Sequence, residues 1–315
     1  MKAARIRFLE KGEEAVLPSW THLLPKQWRE KYLVTKLPYR IEREEDWLTG
    51  ILQAEREDAM AVQWRQAALR LLEALQEEEV QIIVPPAEGE FPRERLLFAE
   101  GRKLAALFAF DGAVEALKRQ KKDPAAASYV LCGGEPAFWR VVLASMGNEV
   151  NRLGMLTTDL QEGERLAQEL YAERGLVTEV FASPKHTAFR EADVIFSCGM
   201  EQHAYEHTLK QGCFWLDLAG NRASLRRIIR TRPDVAAAEG YFFHVGEQQH
   251  EGRLAEAEAF LQCEVFRESF DAPLDVWDAA ALRSVLREKN FAVSGFSAFG
   301  RRVKIQKPSR MGSGK

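Results

Sequence analysis

A chain of 315 residues is longer than one hydrophobic core usually serves, and its 46% hydrophobic and 29% charged residues are those of an ordinary globular protein. A net charge of −3 supplies no broad attraction to nucleic acid or to an anionic membrane, so neither is expected as a partner. No apolar run approaches the roughly 20 residues of a membrane span, Met1 to Phe8 lacks a signal-peptide core, and four cysteines without a C-x-x-C pair fit reduced thiols, which together predict a cytoplasmic protein.

Arg5 to Leu9 and Glu14 to Leu17 flank Lys11-Gly12 and predict a small β-hairpin. Pro18, Pro25 and Pro38 punctuate the next stretch, leaving one short helix and a strand over Tyr32 to Thr35. Glu42 to Glu79 carries the longest helical pattern, with Trp47, Ile51, Ala54, Ala61, Trp64, Ala68, Leu71 and Leu75 at spacings of three, four and seven. It predicts one or two helices with a solvated Glu-Arg face. Val80 to Val84 reads as a buried strand stopped by Pro85-Pro86, and Arg93 to Lys118 as a helix. The basic end Lys118 to Asp123 suits the negative end of a helix dipole, either solvated or facing a phosphate.

Beyond the linker Pro124 to Ala127 the pattern changes. Ser128 to Cys132 is a short apolar run ending on Gly133-Gly134, and Ala137 to Met146 is amphipathic. Val150 to Leu156, Val177 to Phe181, Ala192 to Cys198 and Cys213 to Leu218 read as further strands, alternating with helices at Leu160 to Arg174 and Tyr205 to Lys210. Short apolar runs alternating with helices predict a parallel sheet covered on both faces. Leu225 to Ile229, Gly252 to Phe266 and Val276 to Lys289 read as helices, and Tyr241 to Val245, Phe291 to Val293 and Arg302 to Ile305 as strands. The predicted fold class is α/β: a smaller N-terminal α/β domain over 1–123, a Rossmann-like parallel-sheet domain over 124–306, and a disordered tail over 307–315.

A strand, a glycine turn and a helix begin a mononucleotide-binding unit, which nominates Gly133 and Gly134 for NAD or NADP. The full dinucleotide fingerprint has three glycines. Counted from Gly133 the other two places hold Glu135 and Phe138, and counted from Gly134 they hold Pro136 and Trp139. Glu135 falls where a pyrophosphate would lie, and two like charges about 4 Å apart repel by about 4 kcal/mol at an effective dielectric of roughly 20. Arg140, one turn on, offsets part of this. The second strand ends in Thr157-Thr158-Asp159, and Asp159 either accepts from a ribose hydroxyl or caps the helix from Leu160.

Gly133-Gly134, the helix Gly163 to Leu170, the strand Ala192 to Ser197 and Asp217-Leu218-Ala219-Gly220-Asn221 resemble the NAD(P)-binding domain of the shikimate dehydrogenase and glutamyl-tRNA reductase group, over about a third of the chain. Leu107 to Gly112 is similar to the N-T-D-G segment of shikimate dehydrogenases. The resemblance therefore implies a substrate-contacting, catalytic Asp111. The chain departs from that group at two places. The group's lysine after the V-T-x-P strand end is absent from Ile83 to Glu88, and its N-R-T segment is replaced by Thr157-Thr158-Asp159.

Cys198, His203, His207 and Cys213 cluster in sequence, but their spacing matches no zinc finger or ribbon, and no metal is expected. His244 lies in an apolar strand and reads as a satisfied core residue. His186, Cys198-Gly199 and Asp217 to Asn221 fall in loops where open sheets place ligands. The expected function is an NAD(P)-linked oxidoreductase of the shikimate dehydrogenase-like type acting on a small polar metabolite. The alternative is a catalytically silent relative that binds a nucleotide, metabolite or protein partner. A methyltransferase is disfavoured because Asp159, the acid at the second strand's end, reads better as a cap. The reading admits an oligomer.

Overall fold

Strands that are apolar along their whole length have to be covered on both faces, and one sheet of this protein holds such strands, Tyr129–Gly133 and Leu153–Leu156 among them. The computed structural model describes residues 1–10, 13, 15–44, 47–55, 62–86, 91–92, 96–134, 136–146, 150–199 and 206–305. The chain forms two compact units, one of residues 1–100 with 256–267 and one of 101–255 with 268–315.

The first unit is built on a five-stranded sheet of β1 (Lys2–Leu9), β2 (Tyr39–Glu44), β3 (Trp47–Glu55), β4 (Val80–Val84) and β5 (Leu97–Phe98), in the order β2-β3-β1-β4-β5. β1 runs parallel to both β3 and β4, while β2 is antiparallel to β3. Helix Val62–Glu77 buries Ala68, Leu71, Leu72 and Leu75 in one cluster with Leu48, Leu52 and Ile83. Each fully buried Leu or Ile contributes about 1.5–3 kcal/mol of transfer free energy. Gly50 permits the close approach of that helix, because a Cβ there would lie 3.0 Å from the Leu71 methyl groups.

Three expectations fail in this unit. No hairpin follows β1, whose partners are the distant β3 and β4; residues 15–18 form no strand, and Lys11, Gly12 and Glu14 lie outside the described residues. Tyr32 to Thr35 belongs to helix Lys26–Lys36 rather than a strand. The supposed helical run from Glu42 begins as the β2–β3 pair. Residues 48–53 are all buried, and a strand buried on both faces shows no alternation to distinguish it from a helix.

The second unit has a six-stranded parallel sheet: β6 (Tyr129–Gly133), β7 (Leu153–Leu156), β8 (Thr178–Phe181), β9 (Val194–Gly199), β10 (Phe214–Asp217) and β11 (Ala236–Ala238). Its order is β8-β7-β6-β9-β10-β11, that is, 3-2-1-4-5-6 in order of appearance. This is the doubly wound Rossmann order, with its reversal between β6 and β9. Val130, Cys132, Phe181, Phe189, Ile195 and Trp215 form much of its core. An antiparallel sheet of β12 (Gly240–Val245), β13 (Gln248–Glu251), β14 (Phe291–Ala298) and β15 (Arg301–Val303) completes the unit in the order β13-β12-β14-β15.

The units divide at Gly101 rather than at the linker 124–127. Helices Arg102–Leu107 and Ala109–Arg119 belong to the second unit because their partners are there. Tyr241 is fully buried against Gly112 and donates to the Ala109 carbonyl at 3.2 Å, and the Phe110 and Tyr129 rings lie 5.7 Å apart. Gly101, left-handed at φ +80°, marks the turn into the first of these helices. The basic helix end is used internally, since Lys122 donates to Asp193 at 2.8 Å and to the Gly212 carbonyl at 3.2 Å. The expected helix at Tyr205 to Lys210 is a turn over 206–208, Tyr205 being outside the described residues. His244 is exposed: β12 alternates, turning Tyr241 and Phe243 inward and His244 outward. The tail from 306 lies outside the described residues, and among those described no helix is long and apolar enough to cross a membrane.

Candidate functional site

The carboxyl ends of β6, β9 and β10 form one edge, at the reversal of strand order. Gly133 and Gly134 leave β6 with φ of +63° and +85°, and Gly133 pairs with Gly199 of β9 after a one-residue shift of register that skips Cys198. A Cβ on Gly134 would fall 1.8 Å from the carbonyl oxygen of Cys198, so the two backbones touch there. The structure thus brings Gly133, Gly134, Cys198 and Gly199 together. It also fills much of the turn. Trp139, 2% exposed, donates its indole N–H to the Gly133 carbonyl at 2.7 Å. The helix that follows starts at Pro136, which has no N–H to offer an anion. Glu135 lies outside the described residues.

The remaining nominated residues fall nearby or elsewhere. Asp159 caps helix Leu160–Arg174, accepting from the Glu162 N–H at 3.0 Å, while Thr157 accepts from the Asp159 N–H at 3.0 Å and Thr158 is exposed. Replacing Asp159 by Ala should cost about 1 kcal/mol in urea denaturation, the usual loss of a cap; an unchanged midpoint would remove the capping role. Gly163 lets this helix sit close to the sheet, since a Cβ there would be 2.7 Å from Val180 Cγ1. Arg140 faces Glu169 at 3.6 Å. Asp111 gives its carboxylate to Arg283 at 2.9 Å and to Arg287, tying helix Ala109–Arg119 to helix Ala279–Glu288. His186 caps helix Thr187–Arg190 and stacks on Phe181, with ring centroids 4.5 Å apart.

Asp217, at the end of β10, is the group whose chemistry sequence reasoning left undefined. It is 2% exposed; one oxygen accepts from the Ala219 N–H at 3.1 Å and the other, Oδ2, has no partner. Burial pushes its carboxyl up to about 6, the Arg102 guanidinium and the Ala219 N–H opposing and Glu239 reinforcing the shift. Arg102 lies over Gly220, where a Cβ would come within 1.7 Å of a guanidinium nitrogen. The neighbouring Cys198 thiol is pushed far above its ordinary value by burial and then by the Asp217 charge, so it stays protonated and is a poor nucleophile. An acid closing the apolar run Phe214 to Leu216 is a visible sequence signal. Arg102 carries none, being distant in sequence. Among the described residues no three His, Cys, Asp or Glu side chains are grouped to hold a metal, and His203 lies outside them.

No protein-family model matches the chain, and no curated protein matches it. Solved structures give distant likenesses. L-Tryptophan dehydrogenase from Nostoc punctiforme matches with a TM-score of 0.38 and 10% identity, over 92% of this chain and 80% of that one. Shikimate 5-dehydrogenase from Listeria monocytogenes, solved with shikimate and NAD, matches with a TM-score of 0.32 and 9% identity, over 90% and 95%. Aspartate transcarbamoylase from Trypanosoma cruzi matches with a TM-score of 0.34 and 10% identity, over 74% and 75%. Likenesses at this level show no family and carry no ligand or reaction across. The doubly wound fold rests on the strand order of the second unit itself.

Proposed function

We propose that the second unit binds NAD or NADP at the carboxyl edge of β6 and β9 and serves an NAD(P)-linked oxidoreductase acting on a small polar metabolite. The observation that carries this is the reversal of strand order at the glycine-bearing ends of β6 and β9, the place where open parallel sheets take nucleotides. Gly134 and Gly199 would meet the pyrophosphate, and Thr157, Thr158 and Asp159 the ribose end. The cofactor would supply hydride exchange. The protein's part would be Asp217, whose free Oδ2 suits a substrate hydroxyl that loses or gains a proton.

A second reading, a silent relative that binds a nucleotide, metabolite or protein partner, is favoured by the Trp139 indole on the Gly133 carbonyl and by Pro136 at the helix start. Titration of NADH and NADPH tests the cofactor site on which the first reading depends. The expected result is weak binding that strengthens in Glu135→Gln, because a carboxylate in the turn competes for the helix N-terminus and repels the pyrophosphate. Micromolar binding weakened by that substitution would mean the turn is tuned to its cofactor, acid included. No binding by either form would favour the silent reading.

A further inference from the structure

We propose that the second unit carries a separate site for a small amphipathic anion, at the sheet edge where β11 meets the hairpin of β14 and β15, with Gln120 as its buried polar group. This proposal is independent of the cofactor reading. A cavity of about 410 Å³ lies there, within the range of small-molecule sites. Ile229, Pro233 and Ala237 line it from the β11 side, and Ala298, Phe299 and Val303 from the hairpin. Such a lining favours an aliphatic or aromatic body.

Gln120, in the same lining, is 4% exposed, and its side-chain oxygen has no hydrogen-bond partner. Buried acceptors are nearly always paired, and a ligand N–H or O–H would pair this one. The local charge is positive. Asp234 is neutralised by Arg232 at 2.7 Å, and Arg302 is engaged by Gln249 at 2.7 Å and by the Phe242 ring. Arg301 and Lys304 line the cavity, are exposed, and make no ion pair among the described residues. The ligand class is therefore an apolar group bearing one N–H or O–H donor and one carboxylate, sulfonate or phosphate.

The dye 8-anilinonaphthalene-1-sulfonate has an aromatic body, an N–H and a sulfonate, and serves as the probe in a fluorescence titration of the full chain. One saturable dye site per chain is expected. Gln120→Leu should weaken it about fivefold, the worth of a neutral hydrogen bond. Joint replacement of Arg301 and Lys304 by Ser should weaken it about tenfold, the worth of charge-assisted contacts. Arg301 and Lys304 are exposed, so their variant decides the matter should Gln120→Leu fail to melt cooperatively. No saturable site, affinities within twofold of the unmodified protein in both variants, or displacement of the dye by NADH would each overturn the proposal.

Discussion

Asp217→Asn should stabilise the protein at pH 7 and leave it unchanged near pH 4. In the unfolded chain this carboxyl ionises at its ordinary 3.8, whereas in the fold it ionises at about 6. Between those values the native state holds a proton that the unfolded chain has released. Stability contributed by this group therefore falls as pH rises from about 4 to about 6 and is level above. At about 1.36 kcal/mol per pK unit, the loss is about 3 kcal/mol. The amide keeps the hydrogen bond from Ala219 but has no charge to bury. Urea denaturation of both proteins at pH 4, 5, 6 and 7 measures the difference, which should grow from near zero to a few kcal/mol. A difference that does not vary with pH would mean Asp217 is solvated or paired. Other carboxylates work in the opposite sense. Arg7 holds Glu13 down at about 2, so the difference between the two proteins, not either curve alone, isolates Asp217.

Gly134→Ala should be the more damaging change, costing upwards of about 4 kcal/mol or preventing folding. Left-handed backbone alone costs an L-residue about 1–2 kcal/mol. The larger part comes from the Cys198 carbonyl oxygen, 1.8 Å from the new Cβ. Gly134 directly follows the paired end of β6, and Cys198 lies between Ser197 and Gly199, which pair with Cys132 and Gly133, so neither atom withdraws without disturbing the end of the β6–β9 ladder. Gly175→Ala is the matched control. Its φ is +68°, yet nothing lies within 4 Å of a Cβ there, so only the backbone cost of about 1–2 kcal/mol applies. Equal losses in the two variants, measured by chemical denaturation, would contradict the close contact between these strand ends.

The parallel sheet of the second unit was legible because its four inner strands are buried on both faces, and runs such as Val194 to Cys198 have no other use. The cap at Asp159 was legible for a local reason: its partner is three residues away. What escaped depends on distant chain. Trp47 to Glu55 has an apolar spacing that fits a helix as well as a buried strand, and only pairing with Lys2 to Leu9 and Tyr39 to Glu44 decides it. The division at Gly101 was hidden because Phe110 and Gly112 meet Tyr129 and Tyr241, which no local pattern reveals. At the candidate site, the glycine turn after β6 showed in the sequence as the end of an apolar run, whereas the free oxygen of Asp217 depends on which groups surround it in space.

A ribosome delivers residues 1–100 well before the segment 256–267 that belongs with them. Glu258 has to emerge before it can accept the Trp47 indole N–H at 3.0 Å. At about 5–20 residues per second, the intervening residues 101–255 take on the order of ten to thirty seconds to synthesise. Throughout that interval the first unit is missing part of its own chain, and the second lacks the strands and helix beyond 268. Neither unit can finish before the other has begun, so the nascent chain is committed to maturing late and as a whole.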